Sequence, residues 1–439
     1  MSADTRGEQP VGDGLALGPT TKGLRLTAPA TVDQVLAGRP AVDDARFSWP
    51  LLTLDDEALT HNIRTMAALC RRHGAEHAPH VKTALSRELF ARQHAVGAWG
   101  ATVANAGQLR TVRSWGVERV LVANEILDPR DWSALAADIV SARGSGSAVE
   151  VLTYVDGPEV VAAARAALDR WPAAAAGLGL VVELGVPGGR TGVRDVAAGT
   201  TLARAATRAG LPVLGVAGYE GSAAAGAGTG DRAAVAEFCG RLLTLADALS
   251  DEGLLHERTG GVPVLSAGGS AYVDVVLPHL TAGPRARQVI MRSGAYVTHD
   301  HGLCARSDPW SRFPEPTAMQ PAATVWAQVL ATPEPGLAIV GAGRRDVPYD
   351  IDLPVLTAVR RRTGTGWSAP QPFTGPVVDR LDDQHLYLRP GAEDGTVDVA
   401  TGDVVGLGIS HPCTLFDKWR VAAVTDVHDR VIGLVSTDF

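Results

Sequence analysis

The chain has 439 residues, 46% hydrophobic and 20% charged, enough for one large core and a smaller second domain. A net charge of −8 with no basic run argues against nucleic acid as a partner, and no apolar stretch approaches the ~20 residues of a membrane span. The first twenty residues lack a signal-peptide core, and four scattered cysteines (Cys70, Cys239, Cys304, Cys413) suit reduced thiols, so a cytoplasmic protein is expected.

Residues 1–24 read as a flexible tail, and 25–54 as a segment that joins a β domain through a strand at Pro50–Leu54. From about Glu76 to Met291, short apolar runs alternate with amphipathic, Ala/Arg-rich segments. Strands are expected at 76–82, 99–103, 119–123, 149–155, 179–184, 213–218, 263–267 and 288–292. Helical patterns cover Asp55–Arg72, Arg87–Val96, Asn105–Trp115, Gly157–Leu168 and Asp231–Leu249. Eight such units predict an α/β fold, a (β/α)8 TIM-type barrel over 55–304. A doubly wound sheet competes, but no Gly-x-Gly-x-x-Gly opens the first helix. Past Asp300 the texture changes to Pro/Gly turns between Val325–Thr332, Gly336–Val340, His385–Arg389, Val404–Ile409 and Trp419–Thr425. This predicts a second, mainly β C-terminal domain over 305–439.

Basic charge is carried almost wholly by arginine, and only three lysines occur, Lys22, Lys82 and Lys418. Arginine replaces lysine as a surface cation but cannot act as an amine nucleophile toward an aldehyde. Lys22, in the Gly/Pro-rich tail, reads as a solvated charge. Lys82 closes the first barrel strand, where active-site residues of a barrel collect. Asn105, Asn124-Glu125, Arg190-Thr191-Gly192, Tyr219–Ser222, Ser266–Ser270 and Ser293–Tyr296 follow later strands at the same end. The last two combine glycines with hydroxyls, which suits a phosphate held by backbone N–H groups. A phosphate there and an amine at Lys82 imply a phosphorylated aldehyde, with pyridoxal 5′-phosphate the obvious candidate.

His411 and Cys413 stand two apart, on one face if the segment is a strand, and form a possible zinc pair. From spacing alone a buried cysteine with a nearby histidine is the commoner outcome. Gly341–Asp346 reads as a charged turn rather than an anion site. Asp382–His385 is a polar turn or a source of a third metal ligand.

Pro79-His80-Val81-Lys82-Thr83, Arg190-Thr191-Gly192-Val193, Gly218-Tyr219-Glu220-Gly221 and Ser266-Ala267-Gly268-Gly269-Ser270 follow in order. So do Arg292-Ser293-Gly294-Ala295-Tyr296 and Ile409-Ser410-His411-Pro412-Cys413-Thr414 running on to Arg420. From about residue 46 onward this set resembles the D-serine dehydratase and D-threonine aldolase family, fold-type III (alanine-racemase-like) pyridoxal phosphate enzymes. The resemblance implies Lys82 as the Schiff-base lysine, with His80 among the cofactor-binding residues. It implies Arg190 at the pyridine nitrogen, Tyr219 beside the cofactor, and Gly268, Gly269, Ser270, Gly294, Ala295 and Tyr296 as phosphate cradle. His411 and Cys413 become the metal pair, and a thiolate there resembles the Zn2+-dependent dehydratase branch, whereas the aldolase branch has Asp.

The expected reaction is loss of water and ammonia from a D-β-hydroxy amino acid such as D-serine, giving a 2-oxo acid. Retro-aldol cleavage to glycine and an aldehyde, racemisation, and a non-catalytic pyridoxal phosphate carrier are the alternatives. Homodimers are common in this group, so a homodimer is implied. Gly185, where many relatives have an acid, and Arg344, where lysine is commoner, depart from the pattern and bear on substrate preference.

Overall fold

Several turns into barrel helices are set by a short polar side chain that satisfies an otherwise unpaired helix N–H. Asp55 accepts from Ala58 N, Ser86 from Leu89 N, Asn105 from Gln108 N and Asp195 from Ala198 N. The computed structural model describes residues 17–439 except 225, 227, 316 and 392–395. Eight parallel strands lie at Glu76–His77, Ala101–Val103, Arg119–Glu125, Glu150–Val155, Leu178–Leu184, Val213–Gly218, Val264–Ala267 and Gln288–Met291. The first strand pairs with the eighth. The remaining gap, between first and second, closes where His80 bridges Thr102 and Thr102 N donates to Pro79 O at 2.9 Å.

The barrel lumen is filled by Ala78, Trp99, Leu121, Leu152, Tyr154, Val181, Leu214, Ala217, Val264 and Ile290. Their partners on alternate positions face the helices, so each strand is buried on both sides. Helices at Pro129–Gly144, Val196–Arg208 and Val273–Thr281 add to those the sequence pattern gave. The last carries Pro278 inside it, and Gly199 in the second lies where a Cβ would meet Leu245 at 2.9 Å. Proline and glycine thus mask both from a propensity reading.

The second domain is built on a ten-stranded sheet. Leu51–Asp55 pairs antiparallel with Ala323–Glu334 and parallel with Val421–Thr425, so chain from before the barrel lies at the heart of this sheet. Strands Val355–Arg360, Val377–Leu381 and Val431–Ser436 join those expected from sequence.

The reading of residues 1–24 as a loose tail needs correction over its second part; residues 1–16 lie outside the described residues. Leu17 and Leu24 are buried in an apolar cluster with Phe47, Leu51 and Leu434. Lys22 is no solvated charge. Its ammonium sits 2.7 Å from the buried Asp346 carboxylate and 3.9 Å over the Trp419 ring. Burial first, and the Lys418 charge to a lesser degree, hold the Lys22 pKa below its usual value, against the pull of Asp346.

Candidate active site

Lys82 leaves the barrel wall because the first strand stops early. After the His80 bridge the chain turns through a 3-10 turn, Val81–Thr83, which aims the exposed Lys82 side chain across the barrel mouth. A cavity of about 410 Å3 opens there, lined by Lys82, His80, Arg190, Tyr219, Gly268–Ser270, Gly294, Ala295, His411 and Cys413. Residues far apart in sequence and drawn from both domains thus share one space. Arg190 lies with its guanidinium 4.9 Å from the Tyr219 ring centre. His80 is kept neutral, its pKa well below the ordinary range through burial and then through Lys82 and Arg292. Its Nδ1 and the Ser270 hydroxyl are buried without a partner among the described residues.

The glycine loop differs from the expected cradle. Gly268 has φ +102°, a conformation open mainly to glycine. Yet the amides of Gly268 and Gly269 donate to the Glu220 carboxylate at 2.9 and 2.5 Å, so those two N–H groups are already used. Ser293 Oγ donates to Gly269 O at 2.7 Å and ties the seventh loop to the eighth. Close approach is required instead at Gly294, where a Cβ would fall 2.3 Å from His80 O. The Tyr296 side chain points elsewhere. It is buried outside the cavity, edge-on to His77 at 5.3 Å, and its hydroxyl accepts from Gln93 Nε2 at 2.9 Å. Asn105 serves as a helix cap and also lies off the cavity.

His411 and Cys413 do meet, though the segment is no strand: Val404–Gly408 ends and Pro412–Thr414 forms a 3-10 turn. Thr83 Oγ1 lies 3.7 Å from Cys413 Sγ, which joins the lysine turn to this pair. Burial opposes charge on His411, but the Cys413 sulfur and then Asp350 outweigh it and lift the pKa to about 9. Burial also opposes the Cys413 thiolate, but His411, Thr83 and Lys82 hold that thiol below its usual value. Burial pushes Cys70 and Cys239 up to about 12, and Cys304 well up. Iodoacetamide near neutral pH, on chelator-stripped protein, is therefore expected to label Cys413 at least ~10-fold faster than the other three, read by peptide mass spectrometry. Equal labelling of all four would contradict this electrostatic picture.

Asp382–His385 supplies no ligand here. Asp382 accepts from Tyr387 OH at 2.9 Å in a turn away from the cavity. Gly341–Asp346 is a turn, in which Asp346 accepts from Gly343 N at 2.9 Å.

Glu125, Asp156 and Glu183, at the ends of adjacent barrel strands, bring carboxylate oxygens within 4.8 Å of one another. Of these the sequence reading singled out only Glu125. Strand-end position and shared inward parity are the signal that could have found the others. Asp156 accepts from Gly192 N at 3.1 Å and so steadies the Arg190 turn. Burial first, and Glu183 second, push Glu125 from 4.5 up to about 9. Folding then takes up a proton between those values, and stability falls as pH rises through the window. Glu125→Gln is expected to lose less melting temperature than wild type between about pH 5.5 and 8.5. Parallel pH slopes in the two proteins would rule this out.

Among the described residues no helix is long and apolar enough to cross a membrane. Two family models match the chain: "Alanine racemase, N-terminal domain" over 54–272 and "Putative serine dehydratase domain" over 322–425. The chain thus carries regions similar to both domains, in this order. Among relatives, a 3-hydroxy-D-aspartate aldolase of Paracoccus denitrificans is 27% identical, covering 72% of this chain and 77% of its own. A D-threonine aldolase of an Arthrobacter species is 26% identical over 87% and 95% of the two chains. The fold is that of D-threonine aldolase from Filomicrobium marinum (TM-score 0.73, 21% identity, 89% and 95% covered). It is also that of D-threo-3-hydroxyaspartate dehydratase from a Delftia species (TM-score 0.69, 22% identity, 89% and 97% covered). Two solved variants of a D-threo-3-hydroxyaspartate dehydratase replace a His and a Cys two positions apart, and the Cys variant is in a metal-free form.

Proposed function

We propose that the protein is a lyase for D-β-hydroxy amino acids that uses pyridoxal phosphate and a divalent metal, zinc by the thiolate, and eliminates water. One observation carries the reading: Lys82, from the barrel, and His411 with Cys413, from the β domain, face the same cavity. The residues present fit the coenzyme. The amine, the unpartnered Ser270 hydroxyl and the Gly294 approach leave a space of about 410 Å3 with polar groups at its rim. They fit a metal as well, because an imidazole and a pKa-lowered thiol are borderline-soft donors suited to zinc.

Bound pyridoxal phosphate supplies an aldehyde for amine condensation and a ring that draws electrons from the α-carbon. A bound divalent ion supplies a Lewis acid. The chain's own residues do the rest. Lys82 Nζ reaches over the mouth and is the group placed to take and return the α-proton. A guanidinium donates hydrogen bonds without giving up a proton, so a ring nitrogen set against Arg190 would stay unprotonated. Tyr219 fixes that guanidinium from one side. Thr83 steadies the sulfur of Cys413.

A second reading, aldol cleavage to glycine and an aldehyde, is favoured by the activities named for the Paracoccus and Arthrobacter relatives. Cys413 weighs toward elimination. Mass-spectrometric analysis of products from D-serine, D-threonine and 3-hydroxy-D-aspartate decides it. A 2-oxo acid with ammonia supports elimination, and glycine with an aldehyde replaces it by cleavage.

A further inference from the structure

We propose that Asp350 is the positioning residue for the metal ligand His411, an inference that rests on the metal reading above. Asp350 lies 61 positions before His411, in the connection between strands Leu337–Val340 and Val355–Arg360. Its Oδ2 is 2.7 Å from His411 Nδ1, and its Oδ1 accepts from Thr414 Oγ1 at 2.7 Å. The carboxylate is therefore gripped at both oxygens by the turn that carries Cys413. That double engagement makes it a support rather than a third ligand.

The connection carrying Asp350 is fastened to the same turn at further points. Ser410 Oγ donates to Asp352 O at 2.7 Å, and Trp419 Nε1 donates to Asp346 O at 2.9 Å. Asp346 in turn holds Lys22 at 2.7 Å. Asp350 is thus presented from a fixed platform to a fixed turn, and its contact with the imidazole is not a chance surface pairing.

The chemical consequence concerns which ring nitrogen carries hydrogen. Nδ1–H is claimed by the carboxylate, which leaves the Nε2 lone pair free for an ion and raises its basicity. Without Asp350 the ring is free to rotate or to adopt the other tautomer. Such supports are worth about 10–100-fold in metal affinity.

The test is zinc affinity by competition with a chromophoric chelator, on coenzyme-loaded full-length protein. Asp350→Ala is expected to bind zinc about 10–100-fold more weakly than wild type, with coenzyme content unchanged. Asp350→Asn keeps the volume and an oxygen that accepts from His411, so its loss is smaller; it carries the same comparison if alanine unfolds the connection. Asp417→Ala removes an equal charge from a carboxylate whose ion pair is with Lys418, and is expected to leave zinc affinity unchanged. The visible band of cobalt(II)-loaded protein should shift in Asp350→Ala and not in Asp417→Ala. Affinity in Asp350→Ala within about twofold of wild type overturns the proposal, as does an equal loss in Asp417→Ala. Failure of the wild type itself to bind zinc would instead overturn the metal reading.

Discussion

Replacing Lys82 by alanine is expected to abolish turnover, by at least about 10^4-fold, or ~5.5 kcal/mol of barrel-mouth chemistry. The size follows from losing two tasks at once: covalent attachment of the coenzyme and proton transfer at the α-carbon. Structure should survive, because the side chain is exposed to the cavity and caps no helix. The other lysines cannot stand in. Lys22 is tied to Asp346, and Lys418 lies between Asp417 and the Tyr349 ring, neither lining the cavity. The measurement is borohydride fixation of pyridoxal phosphate followed by peptide mapping, alongside product formation. Wild type and Lys418→Ala should carry the label on the peptide containing Lys82, and Lys82→Ala should carry none. Label elsewhere, or turnover retained in Lys82→Ala, would remove the central assignment.

Why that lysine could be read from the chain is a matter of scarcity and phase. Three lysines in 439 residues leave little background, and parallel strands buried on both faces announce themselves as apolar runs with polar residues at their ends. Seven of the barrel strands were visible for this reason; the first, expected over 76–82, runs only over Glu76–His77 and gives way to a 3-10 turn at Val81–Thr83. Strand Val377–Leu381 is interrupted by Asp379 and Arg380, so no comparable run marks it, whereas Val431–Ser436 is an apolar run at the sheet edge that the reading passed over.

Interactions that depend on three-dimensional return of the chain were hidden. Glu220 occupying the Gly268 and Gly269 amides requires the sixth and seventh loops to touch. Asp350 reaching His411 requires a domain connection to fold back over 61 positions. The placing of the Tyr296 ring was hidden for a more local reason: the chain forms a 3-10 turn at Ala295–Val297 and the ring packs beside His77. The short tail motif misled as well, because a single lysine amid Gly and Pro carries no sign of the buried Asp346 that receives it.

Cys413→Ala should separate the two halves of the site. The β-domain turn would lose its sulfur while the barrel keeps Lys82, Arg190 and the Gly294 approach, so coenzyme attachment is expected to remain at the wild-type level. Zinc content should fall to background, since one imidazole alone is a poor site for a four-coordinate ion. Turnover of the preferred D-β-hydroxy amino acid should drop by about 10^3-fold, ~4 kcal/mol, the scale of a lost Lewis acid. Thr83 and His411 lose a partner each, but both line the cavity rather than the packed core, so the melting temperature of the zinc-free form should move little. Cys413→Ser, with a weaker oxygen donor at the same place, should fall between wild type and alanine in both zinc content and rate. Full activity in zinc-free Cys413→Ala would show that elimination runs on the barrel residues alone and that the β-domain pair serves structure. Loss of coenzyme together with zinc would show that the two halves are not separable, and that the Thr83–Cys413 contact governs how Lys82 is presented.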